Sequence, residues 1–179
     1  MYEGGFMDGK LHGQGMRRVQ INKTTNGIVT GSYYVVYVGG FQAGKYHGHG
    51  KLTHGDVDIY EGTFDRGNKH GLGQGREQSV MGLYEGEFLN GLPHGQGKMT
   101  DNSGNIYVGE HKDGIQKGFC ICTYKNGNVY EGIMEGYEKH GQGTMTYANG
   151  DILEGFFSYN KAQNGSTMRC KNGNVYTGK

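Results

Sequence analysis

Residues 84–97 read YEGEFLNGLPHGQG, and this stretch contains every element of a pattern that recurs along the 179-residue chain. Aligned on the triplet Tyr-x-Gly, the repeats begin at Tyr2, Tyr37, Tyr60, Tyr84, Tyr107, Tyr130, Leu153 and Tyr176. We number them repeats one to eight and count positions from that first residue. Successive repeats are 23 residues apart, except for one step of 24 and a first step of 35. Such a regular period indicates a repeat architecture, and it predicts one array over residues 1–179.

Glycine and phenylalanine recur at fixed positions of the repeat. Position 3 is Gly in all eight repeats, position 5 is Phe in five, and positions 11 to 14 read His-Gly-x-Gly in five. Repeat five departs with Lys117-Gly118-Phe119-Cys120, and repeat seven departs with Gln163-Asn164-Gly165-Ser166. The 37 glycines lack the three-residue period of collagen, and 21 Tyr and Phe residues exclude a flexible linker. A helical domain is disfavoured because each interior Gly costs about 1 kcal/mol relative to Ala.

The alternation of residue types predicts that each repeat forms a β-hairpin. In repeat six, residues 143–147 read Gly, Thr, Met, Thr, Tyr, which is the period-two pattern of a strand. Asn126-Gly127, just before repeat six, predicts a type I′ turn, because that turn needs two residues at positive φ. Asn90-Gly91 marks the other kind of turn, inside the hairpin. The expected fold is all-β: an elongated single-layer antiparallel sheet of tandem 23-residue hairpins, roughly 70 Å long.

A single-layer sheet has no second sheet to cover it, and the glycines offer an alternative. We expect aromatic rings at positions 1 and 5 to lie over the bare backbone of Gly at positions 3, 12 and 14. The rings that would line this face are Tyr37, Phe41, Tyr60, Phe64, Tyr84, Phe88, Tyr107 and Tyr130. One interpretation is packing within the chain. The other is a groove of aromatic residues that binds a partner helix or strand, since Tyr and Phe are favoured interface residues. Both can hold, and these eight residues are candidate partner-binding residues.

Repeat one carries twelve extra residues, which divide evenly around Asn26-Gly27. They predict an elongated hairpin with an insertion at about residues 19–33, projecting about 20 Å beyond its neighbours. Tyr33 and Tyr34 begin a strongly β-prone run and are further candidate partner-binding residues. The hypothesis is a docking or self-association site, and the alternative is an insertion tolerated at a loop tip.

The pattern of residues 84–97 resembles the MORN repeat (membrane occupation and recognition nexus), in about seven and a half copies over nearly the whole chain. The resemblance implies a repeat module. The pattern identifies the fold of such a module but does not identify its function. Similar repeats occur in junction-forming membrane proteins, ciliary radial-spoke components, protist cytoskeletal scaffolds, plant-type lipid kinases and a histone-lysine methyltransferase. In the enzymes among them, catalysis resides in a separate domain.

Little in the sequence indicates chemistry. The recurring histidines His12, His47, His70, His94 and His140 fall roughly 10 Å apart in such a sheet, too far to share a zinc ion. Cys120 and Cys122 lie on one face of a strand and are interpreted as small apolar fillers. Gly-x-Gly is never followed by the Gly-Lys-Ser/Thr of a phosphate-binding loop. We expect no catalytic residues, no cofactor and no metal.

The leading hypothesis is therefore a non-enzymatic protein-interaction scaffold whose partner is cytoskeletal, ciliary or membrane-associated. One alternative is the targeting or regulatory region of a larger enzyme, and another is binding of anionic phospholipid. The net charge of +1, without a cluster of basic residues, weakens the lipid hypothesis and excludes nucleic acid. Three cysteines and the lack of an apolar leader favour a cytoplasmic location. Both ends lack an evident cap, so we expect a longer protein, or ends covered by another domain or by a second copy paired at the sheet edges.

Overall fold

The computed structural model describes residues 1–56, 58–79 and 81–178. In this part of the chain there are sixteen strands and no helix. The strands are β1 (Tyr2–Met7), β2 (Lys10–Thr25), β3 (Ile28–Gln42), β4 (Lys45–His54), β5 (Asp58–Asp65), β6 (Asn68–Ser79), β7 (Gly82–Leu89), β8 (Leu92–Asp101), β9 (Ile106–Lys112), β10 (Ile115–Thr123), β11 (Val129–Glu135), β12 (Glu138–Thr146), β13 (Ile152–Ser158), β14 (Lys161–Ala162), β15 (Thr167–Arg169) and β16 (Val175–Thr177). They follow one another in chain order in an antiparallel sheet, with β14 beside β13, so the predicted all-β fold of tandem hairpins is confirmed.

The chain divides into two compact units. The first consists of Met1–Gln78 and Glu87–Leu92, and the second of Ser79–Gly86 and Pro93–Lys179. In the first unit, β2 and β3 are the longest strands, with 16 and 15 residues, and the extra residues of repeat one lie in their distal halves. Ile21 pairs with Tyr33 in that hairpin, and Asn26 and Gly27 form its turn with φ of 51° and 79°.

The type I′ turns lie inside the hairpins, and the prediction of this turn type for Asn126-Gly127 was wrong. At Asp113-Gly114, between β9 and β10, both residues have positive φ, 51° and 85°. Between β10 and β11, only Gly127 does, at 87°. Five residues separate these two strands, which is too many for a two-residue turn. The loop is closed instead by the Tyr124 N–H donating to the Asn128 carbonyl at 2.9 Å.

The glycine at position 12 forms a bulge and does not receive a ring, which corrects the expectation for that position. Gly48 has a φ of 70°, and nothing lies within 4 Å of where its Cβ would be. The register between β3 and β4 shifts between Gly39 and Phe41, opposite this glycine. A bulge of this kind needs a left-handed residue, which glycine supplies at low cost. Near this shift the Gly40 carbonyl accepts a hydrogen bond from the Tyr37 hydroxyl at 3.0 Å.

The glycines at positions 3 and 14 do lie under the tyrosine ring, as predicted. A Cβ on Gly73 would stand 2.5 Å from three atoms of the Tyr60 side chain, and one on Gly62 would stand 2.6 Å from its hydroxyl oxygen. The Phe64 ring then packs edge-on against Tyr60, with centroids 5.3 Å apart, and against Tyr37 of the preceding repeat, at 5.0 Å. Phe64 therefore joins two tyrosines, as Phe41 joins Tyr2 and Tyr37, and the resulting aromatic ladder is the core of this sheet.

Candidate functional site

Eight of the ten aromatic residues proposed to bind a partner lie in the core. Tyr107 is the most exposed of them, at 8 %, and Tyr37, Phe88 and Tyr130 are fully buried. The complete set is Tyr37, Phe41, Tyr60, Phe64 and Phe88 in the first compact unit, and Tyr84, Tyr107 and Tyr130 in the second. Of their two predicted roles, the structure gives them packing within the chain. Contact of these rings with a partner stays a prediction.

The residue at position 10 covers the tyrosine ring from the other side, and sequence reasoning missed it. Tyr46 stacks on Tyr37 with centroids 3.8 Å apart and planes at 13°. In the next repeat the cover is Lys69, whose Nζ lies 5.0 Å from the Tyr60 ring centroid. Gln116 occupies the same position in repeat five and is fully buried. The residue type at position 10 varies too much between repeats to appear in the repeat pattern. The signal that could have identified it was its place one residue before the recurrent histidine.

Tyr33 and Tyr34 lie on opposite faces of the long hairpin. The Arg18 guanidinium carbon lies 3.6 Å from the Tyr34 ring centroid, which is a cation–π contact, and 41 % of Tyr34 is exposed. Tyr33 lines an open cavity of about 540 Å³ together with Lys23 and Asp56. These two tyrosines are therefore more accessible than the eight rings of the ladder.

Repeat five is built differently because Cys120 stands where other repeats have the glycine of position 14. With a side chain at that place, Tyr107 turns its hydroxyl to the Asp101 carboxylate, at 3.3 Å. His111 replaces the phenylalanine of position 5 and packs edge-on against Tyr84, with centroids 4.9 Å apart. Burial lowers the pKa of His111, so its ring is neutral at pH 7. The repeat keeps the aromatic contact but changes its chemistry.

Thiol labelling tests the burial of two cysteines in repeat five. Burial, and secondarily Cys122, raises the pKa of Cys120 to about 12, and burial also raises that of Cys122. Because the thiolate is the reactive form, we expect an aromatic disulfide reagent at pH 8 to label only Cys170 in the native protein. All three thiols should react in denaturant. Rapid labelling of more than one thiol in the native state would contradict this arrangement.

Three of the glutamates at position 2 pair with bases on neighbouring strands, on the face opposite the rings. Glu61 lies 3.5 Å from Lys51, Glu85 lies 3.1 Å from Lys98, and Glu154 lies 3.4 Å from Arg169. These pairs are exposed, so each contributes at most about 1 kcal/mol. These three glutamates therefore form ion pairs, and carboxylates paired in this way are not arranged for acid–base chemistry.

Large apolar side chains interrupt this charged face in the second compact unit. Val108 and Ile121 face each other across β9 and β10, at the positions that Glu85 and Lys98 occupy in repeat four. Phe119 and Ile133 face each other across β10 and β11. Between 39 % and 56 % of each of these four side chains is exposed. Sequence reasoning passed over them, although apolar residues at positions 2, 4, 13 and 15 were the signal.

Two of the recurrent histidines lie next to an acidic residue of the following repeat. His47 Nδ1 is 3.4 Å from Asp65 Oδ1, and His94 Nδ1 is 3.9 Å from Asp113 Oδ1. Among residues 1–56, 58–79 and 81–178, no three His, Cys, Asp or Glu side chains are grouped so that they could hold a metal ion. The same residues include no helix with the length and apolar character required to cross a membrane.

The tandem hairpins, with a tyrosine ring over paired glycines, define a repeat protein of the all-β class. The family model for the MORN repeat matches residues 2–18, 37–56, 60–74, 84–106, 107–129 and 130–152, which together are more than half of the chain. The chain therefore belongs to the MORN repeat family, and the resemblance stated above is confirmed. Comparison with the curated proteins gave no significant match. A MORN array is a repeat-built module of the interaction or scaffold type and is typically non-catalytic.

Proposed function

We propose that this protein is a non-enzymatic scaffold that binds another protein through the exposed surface of its sheet. The observation that carries this proposal is the difference in burial between the two faces of the sheet. The recurrent Tyr and Phe residues from Tyr37 to Phe157 are buried in the ladder, whereas large apolar side chains such as Phe119 and Phe156 are 56 % and 62 % exposed on the strands. Grouped exposed apolar side chains mark interaction sites in soluble proteins.

The ladder supports this function by fixing the strands. Tyr130 is fully buried, contacts the Phe157 ring at a centroid distance of 5.3 Å, and donates its hydroxyl to the Ile133 carbonyl at 2.8 Å. Ile133 itself is exposed on the other face. A surface residue held in this way loses little conformational freedom on binding, and pre-organisation of this kind raises affinity.

We further propose that the partner belongs to a cytoskeletal, ciliary or membrane-associated structure and that the protein works in the cytoplasm. The resemblance to other MORN proteins supports this part of the proposal. A fluorescent fusion that co-localises with filaments, cilia or membranes in its native cell would support it. A diffuse signal that detergent extraction removes completely would contradict it.

Affinity capture tests the function. The protein is immobilised, exposed to native-cell lysate, and the bound proteins are quantified by mass spectrometry against empty resin. We expect at least one protein in stoichiometric amount, and the same protein after the lysate has been cleared of membranes. Capture of nothing above the empty resin would refute the proposed function, and recovery of lipid vesicles alone would favour the phospholipid alternative.

A further inference from the structure

We propose that Val108, Phe119, Ile121 and Ile133 form a docking site for an amphipathic helix whose apolar side is bordered by Lys or Arg. We call these four residues the apolar block. The inference rests on the proposed function, and it adds the location of one binding surface and the chemistry of its partner.

The strand register places the four side chains side by side. Val108 and Ile121 are direct cross-strand partners, and so are Phe119 and Ile133. Phe119 and Ile121 are two residues apart on β10, so both point to the same face. Directly paired residues have Cβ atoms about 5 Å apart, which makes the block continuous across β9, β10 and β11.

Two carboxylates stand at the corners of the block. Glu131 pairs directly with Ile121 across β10 and β11, on the side away from Val108. Glu110 is two residues from Val108 on β9, and its side chain reaches the backbone of Gly118 beside Phe119. Both glutamates are exposed, and neither has an ion pair within the described part of the chain.

Glu131 lacks the base that three of the other four position-2 glutamates have. The position-2 glutamates Glu61, Glu85 and Glu154 each have a Lys or Arg within 3.5 Å. Glu131 occupies the same position, but its cross-strand neighbours are Ile121 and Thr144, which cannot neutralise it. A partner that brings basic side chains to both corners would supply the charge that the position-2 glutamates of repeats three, four and seven receive from within the chain.

The occupant is a helix of another protein for two reasons. A second copy that used the same block would bring Glu110 and Glu131 against their equivalents, and like charges at an interface are repulsive. An added strand has no place, because β10 is already paired on both sides, with β9 and with β11. A helix laid across β9 to β13 would span about 19 Å, or about 13 residues. It would end near Phe156, which is 62 % exposed on β13.

The test uses helical peptides of about 18 residues with a stripe of Leu, flanked either by Lys or by Glu. We expect the Lys-flanked peptide to bind the native protein at least 10-fold more tightly than the Glu-flanked one, measured by fluorescence anisotropy at 50 mM salt. The double variant Glu110→Lys, Glu131→Lys should reverse this preference. Equal binding of the two peptides, or an unchanged preference in the double variant, would overturn the proposal.

Substitutions in the apolar block distinguish binding at this site from nonspecific hydrophobic binding. The variant Phe119→Ser, Ile121→Ser should weaken the Lys-flanked peptide at least 10-fold. The matched control is Leu72→Ser, because Leu72 is 70 % exposed and lies in the first compact unit, outside the block. Loss of binding in the control to the same degree would contradict a specific site. Circular dichroism checks that each variant retains its strand content.

The two proposals fail in different ways. If a protein captured from lysate is retained in full by the variant Phe119→Ser, Ile121→Ser, the apolar block is not its site, and the scaffold function stands. If no protein is captured and the peptides still discriminate by charge, the scaffold function fails.

Discussion

The substitution Gly143→Ala is expected to lower the free energy of unfolding of the second compact unit by about 3 kcal/mol, at the upper end of overpacking effects. The new Cβ would stand 2.5 Å from two ring carbons of Tyr130. That ring is fully buried and is held by its hydroxyl on the Ile133 carbonyl, at 2.8 Å. It cannot move away without breaking this bond and its contact with Phe157. Guanidinium denaturation followed by tyrosine fluorescence measures the change.

Gly31→Ala is the matched control for this prediction. Gly31 also lies within a strand, β3, but nothing stands within 4 Å of where its Cβ would be. Its backbone is outside the left-handed region, so alanine fits without strain. We expect stability to change by no more than about 0.5 kcal/mol, since the side chain restricts the unfolded chain and contacts nothing. Equal losses of stability in the two variants would mean that the clash with the tyrosine ring does not cause the destabilisation by Gly143→Ala.

Repeat five supports the same interpretation from within the chain. Cys120 occupies position 14 there, and the hydroxyl of the tyrosine in that repeat does not lie over a glycine at this position. Tyr107 donates to Asp101 instead, at 3.3 Å, and its ring packs against Tyr137 with centroids 5.2 Å apart. In repeat five a side chain at position 14 therefore occurs together with a new acceptor for the tyrosine hydroxyl.

The regular part of this fold is predictable because the same residue types recur at the same positions of successive repeats. The Tyr-x-Gly spacing, the alternation in residues 143–147 and the Asn26-Gly27 turn give the hairpins and the ring-over-glycine packing. The turn at Asn126-Gly127 and the bulge at Gly48 were misassigned for one reason. Glycine serves both a left-handed backbone and close packing, and residue identity does not distinguish these two uses.

The exposed face is less predictable because its residues differ between repeats. Position 2 is Glu61 in one repeat and Val108 in another, so the repeat pattern carries no rule for it. Whether Val108 meets Ile121 depends on the register of β9 against β10, which shifts at the bulge between Gln116 and Cys120. The apolar block therefore became visible only when the strands were aligned.

The substitution Phe64→Ala is expected to destabilise the first compact unit by about 3–4 kcal/mol. Phe64 is 2 % exposed and packs edge-on against both Tyr37 and Tyr60, with centroids 5.0 and 5.3 Å away. Truncation removes these contacts and leaves a cavity that the rigid neighbouring rings cannot fill. Thermal unfolding followed by circular dichroism, together with hydrogen exchange in β5 (Asp58–Asp65), measures the loss.

Phe156→Ala removes the same side chain from the surface and separates folding from binding. Because 62 % of Phe156 is exposed, we expect stability to remain within about 0.5 kcal/mol of the native value. A partner lost by Phe64→Ala alone would then be lost through unfolding, since that variant disrupts the ladder. A partner lost by Phe156→Ala at unchanged stability would be lost through the surface itself. If Phe64→Ala left the unfolding transition unchanged, the aromatic ladder would not be the core of this sheet, and its rings would again be candidates for direct contact with a partner.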